Sequence, residues 1–228
     1  MLANNNEAII NKLAKNSVKT NKKQYAILFF TIILSAFMLF CVFTIGMTYL
    51  NSSRLQNTRL NGAEYDIVTM NGFTSEQLNT LQQNENIRSV GIESYAGFIQ
   101  STEYDKTVEI GLLWCDEVFW DNLMSPARTK LDGHYPQNKN ELMVTKDILK
   151  TCGNENLSVG DSLILTYENN TGVYTDEFVI SGIWDGYGDT SAGFVSKAFY
   201  DETGYDLKNN GILCIKLNCN YVFPTTIQ

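Results

Sequence analysis

Polar and apolar positions follow three regimes along this chain. From Asn4 to Lys19 they recur at helical spacing, from Tyr25 to Leu50 no charge interrupts an apolar run, and beyond Asn51 short alternating stretches are punctuated by Gly, Asn and Asp. In the first regime, NNNEAIINKLAKNSVK, Asn4 and Glu7 have capping-box spacing with Asn in place of Ser or Thr. At about 100° per residue, Ile10, Leu13, Ala14, Ser17 and Val18 share one side of a helix, and Lys12, Lys15 and Lys19 share the other. The pattern predicts an amphipathic helix lying in the inner headgroup layer, its lysines offered to lipid phosphate or to a cytoplasmic partner.

The second regime, YAILFFTIILSAFMLFCVFTIGMTYL, has 26 residues. As a helix it is about 39 Å long, against a hydrocarbon core of about 30 Å. A cleaved secretory signal has an apolar core of only about 7 to 15 residues, and Thr44 and Gly46 are poor candidates for its cleavage site. A buried helix of a globular core would not need an uncharged stretch from Gln24 to Ser53. The run therefore predicts a permanent membrane span. Lys12, Lys15, Lys19, Lys22 and Lys23 precede it, Arg54 and Arg59 form a weaker pair beyond it, and Tyr25 and Tyr49 stand near its ends. Lysine and arginine near a span are retained inside, so the N-terminus is expected in the cytoplasm and residues after about 51 outside the cell membrane.

The third regime is rich in strand signals. Tyr65–Met70 reads as a strand, and Thr74 with Gln77 has capping-box spacing at the head of a helix reaching about Gln83, with Leu78 and Leu81 on one side. Ile87–Gln100 and Thr107–Trp114 return to strand character, and Lys146–Thr151 reads as a short helix ended by Gly153. Leu163–Tyr167 and Glu177–Ile183 flank the polar connector Glu168–Gly172, the pattern of a hairpin. A small helix around Lys197–Thr203 and a strand Ile212–Leu217 complete the series. The expected fold class is α+β. Residues 1–23 form the cytoplasmic amphipathic helix, 24–50 the transmembrane helix, 51–62 a stalk, and 63–228 an extracytoplasmic domain of mixed helices and strands in two lobes.

Charge sharpens this division. Residues 1–23 carry five Lys against Glu7, a balance of +4 within a net −8, which leaves −12 for the rest. A positive stub suits an anionic inner leaflet, whereas the acidic remainder argues against nucleic acid as a partner. Cys41 lies in the span, and Cys115, Cys152, Cys214 and Cys219 follow it without any Cys-x-x-Cys pair. Their spacing matches neither a zinc site nor a disulfide framework. Cys214 and Cys219 can pair only across a turn, and small buried apolar side chains are the expected role of the set.

Catalytic chemistry finds little support. His134 is the single histidine and sits in a Gly-His-Tyr-Pro turn, with no Gly-x-Ser-x-Gly elbow or His-Glu-x-x-His pair elsewhere. Gly182, Gly186, Gly188 and Gly193 do not form a phosphate loop, which requires Gly-x-x-x-x-Gly-Lys followed by Ser or Thr. No cofactor is expected on this chain. Asp116, Glu117 and Asp121 cluster around Phe119 and Trp120, and Asp185 and Asp189 flank Tyr187. Such carboxylates can hold calcium or a cationic ligand, but without EF-hand spacing they read as a solvated acidic face. Asn51, Asn156 and Asn169 head glycosylation sequons, which matter only in a glycosylating host.

The order of the pieces carries a further resemblance. A Lys-rich amphipathic helix, a span, a polar stalk and a domain containing LDGHYPQNKNELMVTKDIL, LSVGDSLILTY and FVISGIWDGYG together resemble the permease subunits of FtsX-like ABC transporters, with their macrolide-exporter-type (MacB-like) periplasmic core domain. Gly133-His134-Tyr135-Pro136 through Glu141–Val144 is similar to that family's turn into a strand. Val159-Gly160-Asp161 before Leu163–Tyr167, and Val179–Ile183, are similar to its next two strands. The resemblance implies a non-enzymatic permease that works with a separate cytoplasmic ATPase binding ATP, with a second permease copy or homologue, and with the lipid bilayer. An extracytoplasmic peptide, drug or lipoprotein would be its substrate or client. It points to Ile10, Lys12, Leu13, Lys15 and Lys19 as residues of a helix turned to the ATPase or to lipid. Family members continue with the rest of the core domain and three more spans, whereas this sequence ends in NCNYVFPTTIQ, so the resemblance implies a fragment. The competing reading is a single-span anchored receptor or binding module without an ATPase.

Overall fold

The computed structural model describes residues 7–100, 110–185 and 192–218. It comprises two units, Met1–Ser53 and Arg54–Gln228.

α1 (Glu7–Thr20) lies in the first unit, and α2 (Lys22–Leu60), which begins there, follows it after the single residue Asn21. The expected cap Asn4 lies outside the described residues. Asn21 donates its N–H to the Ser17 carbonyl and accepts from the N–H groups of Gln24 and Tyr25, so few backbone groups are orphaned at the junction. The Ser17 and Tyr25 hydroxyls are 3.2 Å apart across it. α2 continues beyond the apolar run, so the polar stretch after Asn51 is helical as far as Leu60. No Gly or Pro interrupts Asn51–Leu60, and Gly62 at φ 74° follows its end.

The second unit is built on β1 (Ile67–Thr69), β2 (Ile87–Ile99), β3 (Ile110–Cys115), β4 (Thr129–Gly133), β5 (Glu141–Thr145), β6 (Ser162–Asn169), β7 (Gly172–Asp185), β8 (Ala192–Val195) and β9 (Gly211–Leu217). These strands form one sheet in the order β1-β9-β2-β3-β8-β5-β7-β4, and β6 pairs with both β2 and β7. The path β2-β3-β8-β5-β7-β6 therefore returns to β2 and closes a six-strand circuit, with β9, β1 and β4 outside it. The β3–β8 and β5–β7 pairs are parallel and the others antiparallel. β2 and β7 are long enough to pair with three and with three other strands respectively, which binds all the strands into one sheet and one compact unit.

Short helices cover the sheet. α3 (Ser75–Gln82) begins with the expected capping box, in which Thr74 and Gln77 exchange side-chain to backbone hydrogen bonds. Such a cap contributes about 1 kcal/mol. α4 (Lys146–Thr151) ends at Gly153, whose φ of 69° lets its N–H reach the Lys150 carbonyl while Asn154 N–H reaches Leu149. This is the Schellman closure that a glycine favours. α5 (Lys197–Tyr200) and α6 (Leu207–Asn210) are single turns capped by Ser196 and Asp206. A π-helical turn, Val118–Leu123, had no signal in the apolar pattern.

Adjacent strand residues alternate between two apolar clusters, one on each face. Leu142 and Val144, Ile183, Val195, Leu213 and Ile215 belong to the first; Met143, Trp184, Phe194 and Cys214 belong to the second. α4, α5 and the partly buried Leu78 and Leu81 of α3 join the first cluster, and Phe119, Trp120 and Leu123 of the π-turn form part of the second. Cys115, Cys152 and Cys214 are buried and unbridged, in keeping with small apolar roles. Cys219 lies outside the described residues.

Candidate functional site

Ile10, Lys12, Leu13, Lys15 and Lys19 all fall on α1 and all are exposed. The helix buries none of its residues, so its apolar side has no cover among the described residues. α2 is long and apolar enough to cross a membrane and is likewise unburied. The polar atoms inside it are satisfied locally. Thr31 and Thr44 donate their hydroxyls to the Ile27 and Phe40 carbonyls, each at 2.8 Å, which removes two donors from contact with hydrocarbon.

Within the C-terminal unit three concavities stand out. The first, about 580 Å³, is charged and includes Arg54, Glu64, Asp66, Arg88 and Lys216. Lys216 Nζ lies 3.1 Å from Glu64 and 3.3 Å from Asp66. Partial burial would lower the Lys216 pKa, but the two carboxylates outweigh it and raise it.

The second, about 590 Å³, contains the aromatic and acidic cluster singled out in the sequence, with Trp114, Asp116, Glu117, Trp120, Asp121 and Tyr135. Two of its three carboxylates, Asp116 and Asp121, already have partners. Asp116 Oδ1 accepts the N–H groups of Ile92 at 3.0 Å and Phe119 at 2.8 Å, tying β2 to the π-turn. Burial raises the Asp116 pKa against the pull of those two donors. Arg128 lies 3.9 Å above the Trp120 ring and 3.9 Å from Asp121. The Tyr135 hydroxyl accepts from Cys115 N–H at 3.0 Å and lies 3.2 Å from the carbonyls of Cys115 and Val195, a structural junction between strands. Burial pushes its pKa well up. Asp185 pairs with Lys130 at 3.4 Å, whereas Tyr187 and Asp189 lie outside the described residues. No group of three metal-ligating side chains occurs among the described residues. His134 is exposed and its ring contacts the Tyr135 carbonyl.

The third cavity, about 380 Å³, lies on the second face of the sheet. Glu93 of β2 is registered opposite Cys115 and Ile212, members of the second apolar cluster, so its side chain shares their face. Burial pushes its carboxyl up to about 7. Sequence reasoning passed over it because alternation along Gly91, Glu93 and Tyr95 looks like a solvent-facing edge of a half-buried strand.

No protein-family model matches the chain, and no curated protein does. Among solved structures, the extracellular domain of the noncanonical ABC-type transporter YknZ from Gram-positive bacteria aligns with 65% of this chain and 75% of its own, at 14% identity and a TM-score of 0.43. The periplasmic region of MacB from Actinobacillus actinomycetemcomitans aligns with 68% of this chain and 76% of its own, at 12% identity and a TM-score of 0.44.

Proposed function

We propose that this chain is the permease-type membrane component of an FtsX-like ABC transporter, coupling a separate ATPase to an extracytoplasmic domain for export or mechanotransmission. The observation that carries the reading is the polarity order of the chain. Five lysines and an amphipathic helix precede an uncharged helix of spanning length, and an acidic folded domain follows it. Positive charge retained inside gives the orientation, with the N-terminus cytoplasmic and Arg54–Gln228 extracytoplasmic. α1 then lies where a cytoplasmic ATPase or the inner leaflet meets Ile10, Lys12, Leu13, Lys15 and Lys19. ATP is bound and hydrolysed by that separate subunit, and this chain contributes no catalytic step. A second permease copy or homologue would complete the assembly, and the extracytoplasmic domain would act on a peptide, a drug or a lipoprotein.

The test joins topology with coupling. Single cysteines at Ala8 and Asn79 are labelled with an impermeant maleimide in intact cells, and labelling only at position 79 is expected. The membrane complex is then purified through a tag on this chain. An ATPase is expected to co-purify, and the Ile10→Asp/Leu13→Asp double variant is expected to lower its association or its membrane-stimulated turnover several-fold. Labelling at position 8, or a correctly oriented chain that brings down no ATPase, would overturn the reading; the second outcome favours a single-span binding module.

A further inference from the structure

The Glu93 cavity has features that packing alone does not explain. Among the described residues the Glu93 side chain makes no hydrogen bond and no ion pair, while Arg128 and Lys216 are engaged with other groups. Trp184, only 4% exposed, also lines the cavity, and its indole Nε1–H has no acceptor. Buried donors without partners are rare in folded proteins and call for an explanation. The remaining walls are largely aromatic and apolar, including Tyr65, Tyr95, Phe119 and Phe194. Its volume lies within the range of small-molecule pockets, about 300 to 1,000 Å³.

We propose that this cavity binds an apolar organic cation, an alkyl- or arylammonium ion that also carries a hydrogen-bond acceptor. Glu93 supplies the counter-charge, the aromatic rings favour a cation over a neutral body, and Trp184 Nε1 donates to the acceptor. The site is independent of the proposed coupling to an ATPase, because every group in it belongs to the C-terminal unit.

The electrostatic surroundings identify Glu93 as the group that changes charge near neutrality. Tyr65 ahead of β1, Cys214 on β9, Cys115 on β3 and Tyr135 after β4 are the titratable groups that interact with it, and burial raises the pKa of each further above its ordinary value. All four remain neutral while Glu93 ionises near 7. An ammonium ligand that needs the carboxylate should therefore bind about tenfold more tightly at pH ~8 than at pH ~6.

The experiment is calorimetric titration of the full chain in lipid nanodiscs with para-methoxyphenethylamine, with empty nanodiscs subtracted. Saturable binding is expected, with the tenfold pH dependence and with para-methoxyphenethyl alcohol at least tenfold weaker. Glu93→Gln should weaken the amine at least tenfold at high pH and abolish the pH dependence. Trp184→Phe should weaken the methoxy amine several-fold while leaving unsubstituted phenethylamine unchanged, and circular dichroism should show both variants folded. Equal binding of amine and alcohol, a pH dependence that survives in Glu93→Gln, or absence of saturable binding to the folded chain would each overturn the proposal.

Discussion

The two faces of the C-terminal sheet come from the same strands, yet they are finished differently. The first is closed by apolar side chains from α4 and α5 packed on Leu142, Phe178 and Ile180, all with almost no exposure. The second is covered in part by a single π-helical turn, and it keeps a carboxyl, an unpartnered indole N–H and an open cavity. A face that serves packing alone satisfies or excludes its polar groups, because each unpaired one is costly. Each face keeps unpartnered polar groups, the Tyr200 hydroxyl on the first and Glu93 with Trp184 on the second, and those on the second line an open cavity.

The strongest way to break this contrast is to open the first face. Phe178→Ala removes a ring that packs against Tyr167 and Phe199 at centroid distances of 5.9 and 5.5 Å. A loss of about 3 to 5 kcal/mol is expected in chemical denaturation. A loss under about 1 kcal/mol would mean that this face is not a closed core.

Adding a single methyl probes the second face. A Cβ at Gly91 would stand 2.7 Å from Leu123 Cδ1 and 2.9 Å from Phe119 Cα, and backbone cannot yield as a side-chain tip does. Gly91→Ala should cost about 1 to 3 kcal/mol by displacing the π-turn. A neutral result in the same denaturation assay would show that the turn is loosely seated.

The smallest effect concerns the sign of a pH dependence. Glu93 titrates near 7 when folded and near about 4.3 when unfolded. Between those values the folded chain holds a proton that the unfolded chain has released, so this group's contribution to stability falls as pH rises through the window. Glu93→Gln removes that loss. The variant should match the wild type near pH ~4 and exceed it by about 1 to 2 kcal/mol above pH ~7, a figure discounted for partial exposure of the carboxyl. Parallel stability curves at all pH values would show that Glu93 is solvated.

The asymmetry between the faces also explains what was legible in the sequence. The capping box at Thr74, the glycine stop at Gly153 and the hairpin around Asn170-Thr171 are local signals, and the structure contains all three. The long apolar helix was equally plain, since no charge interrupts the run from Tyr25 to Leu50. Partner choice was not legible. Ile67 pairs with Ile215 and Gly111 with Ala192, contacts between distant segments that carry no mark in either strand. The cavity was hidden for a related reason: the π-turn that packs against β2 and helps to cover Glu93 lies more than twenty positions away, so alternation within β2 alone assigns that face to water.

The position of β9 sets a condition on how the domain can be made. It lies between β1 and β2, strands that precede it by more than a hundred residues, and joins both through antiparallel ladders. During synthesis β1 and one edge of β2 emerge early but lack their partner until residues 211–217 have appeared. The nascent domain therefore spends most of its elongation with an unpaired strand edge, a state open to wrong pairing. β9 acts as a closing key for β1 and β2, and vectorial synthesis delays their pairing until that key arrives.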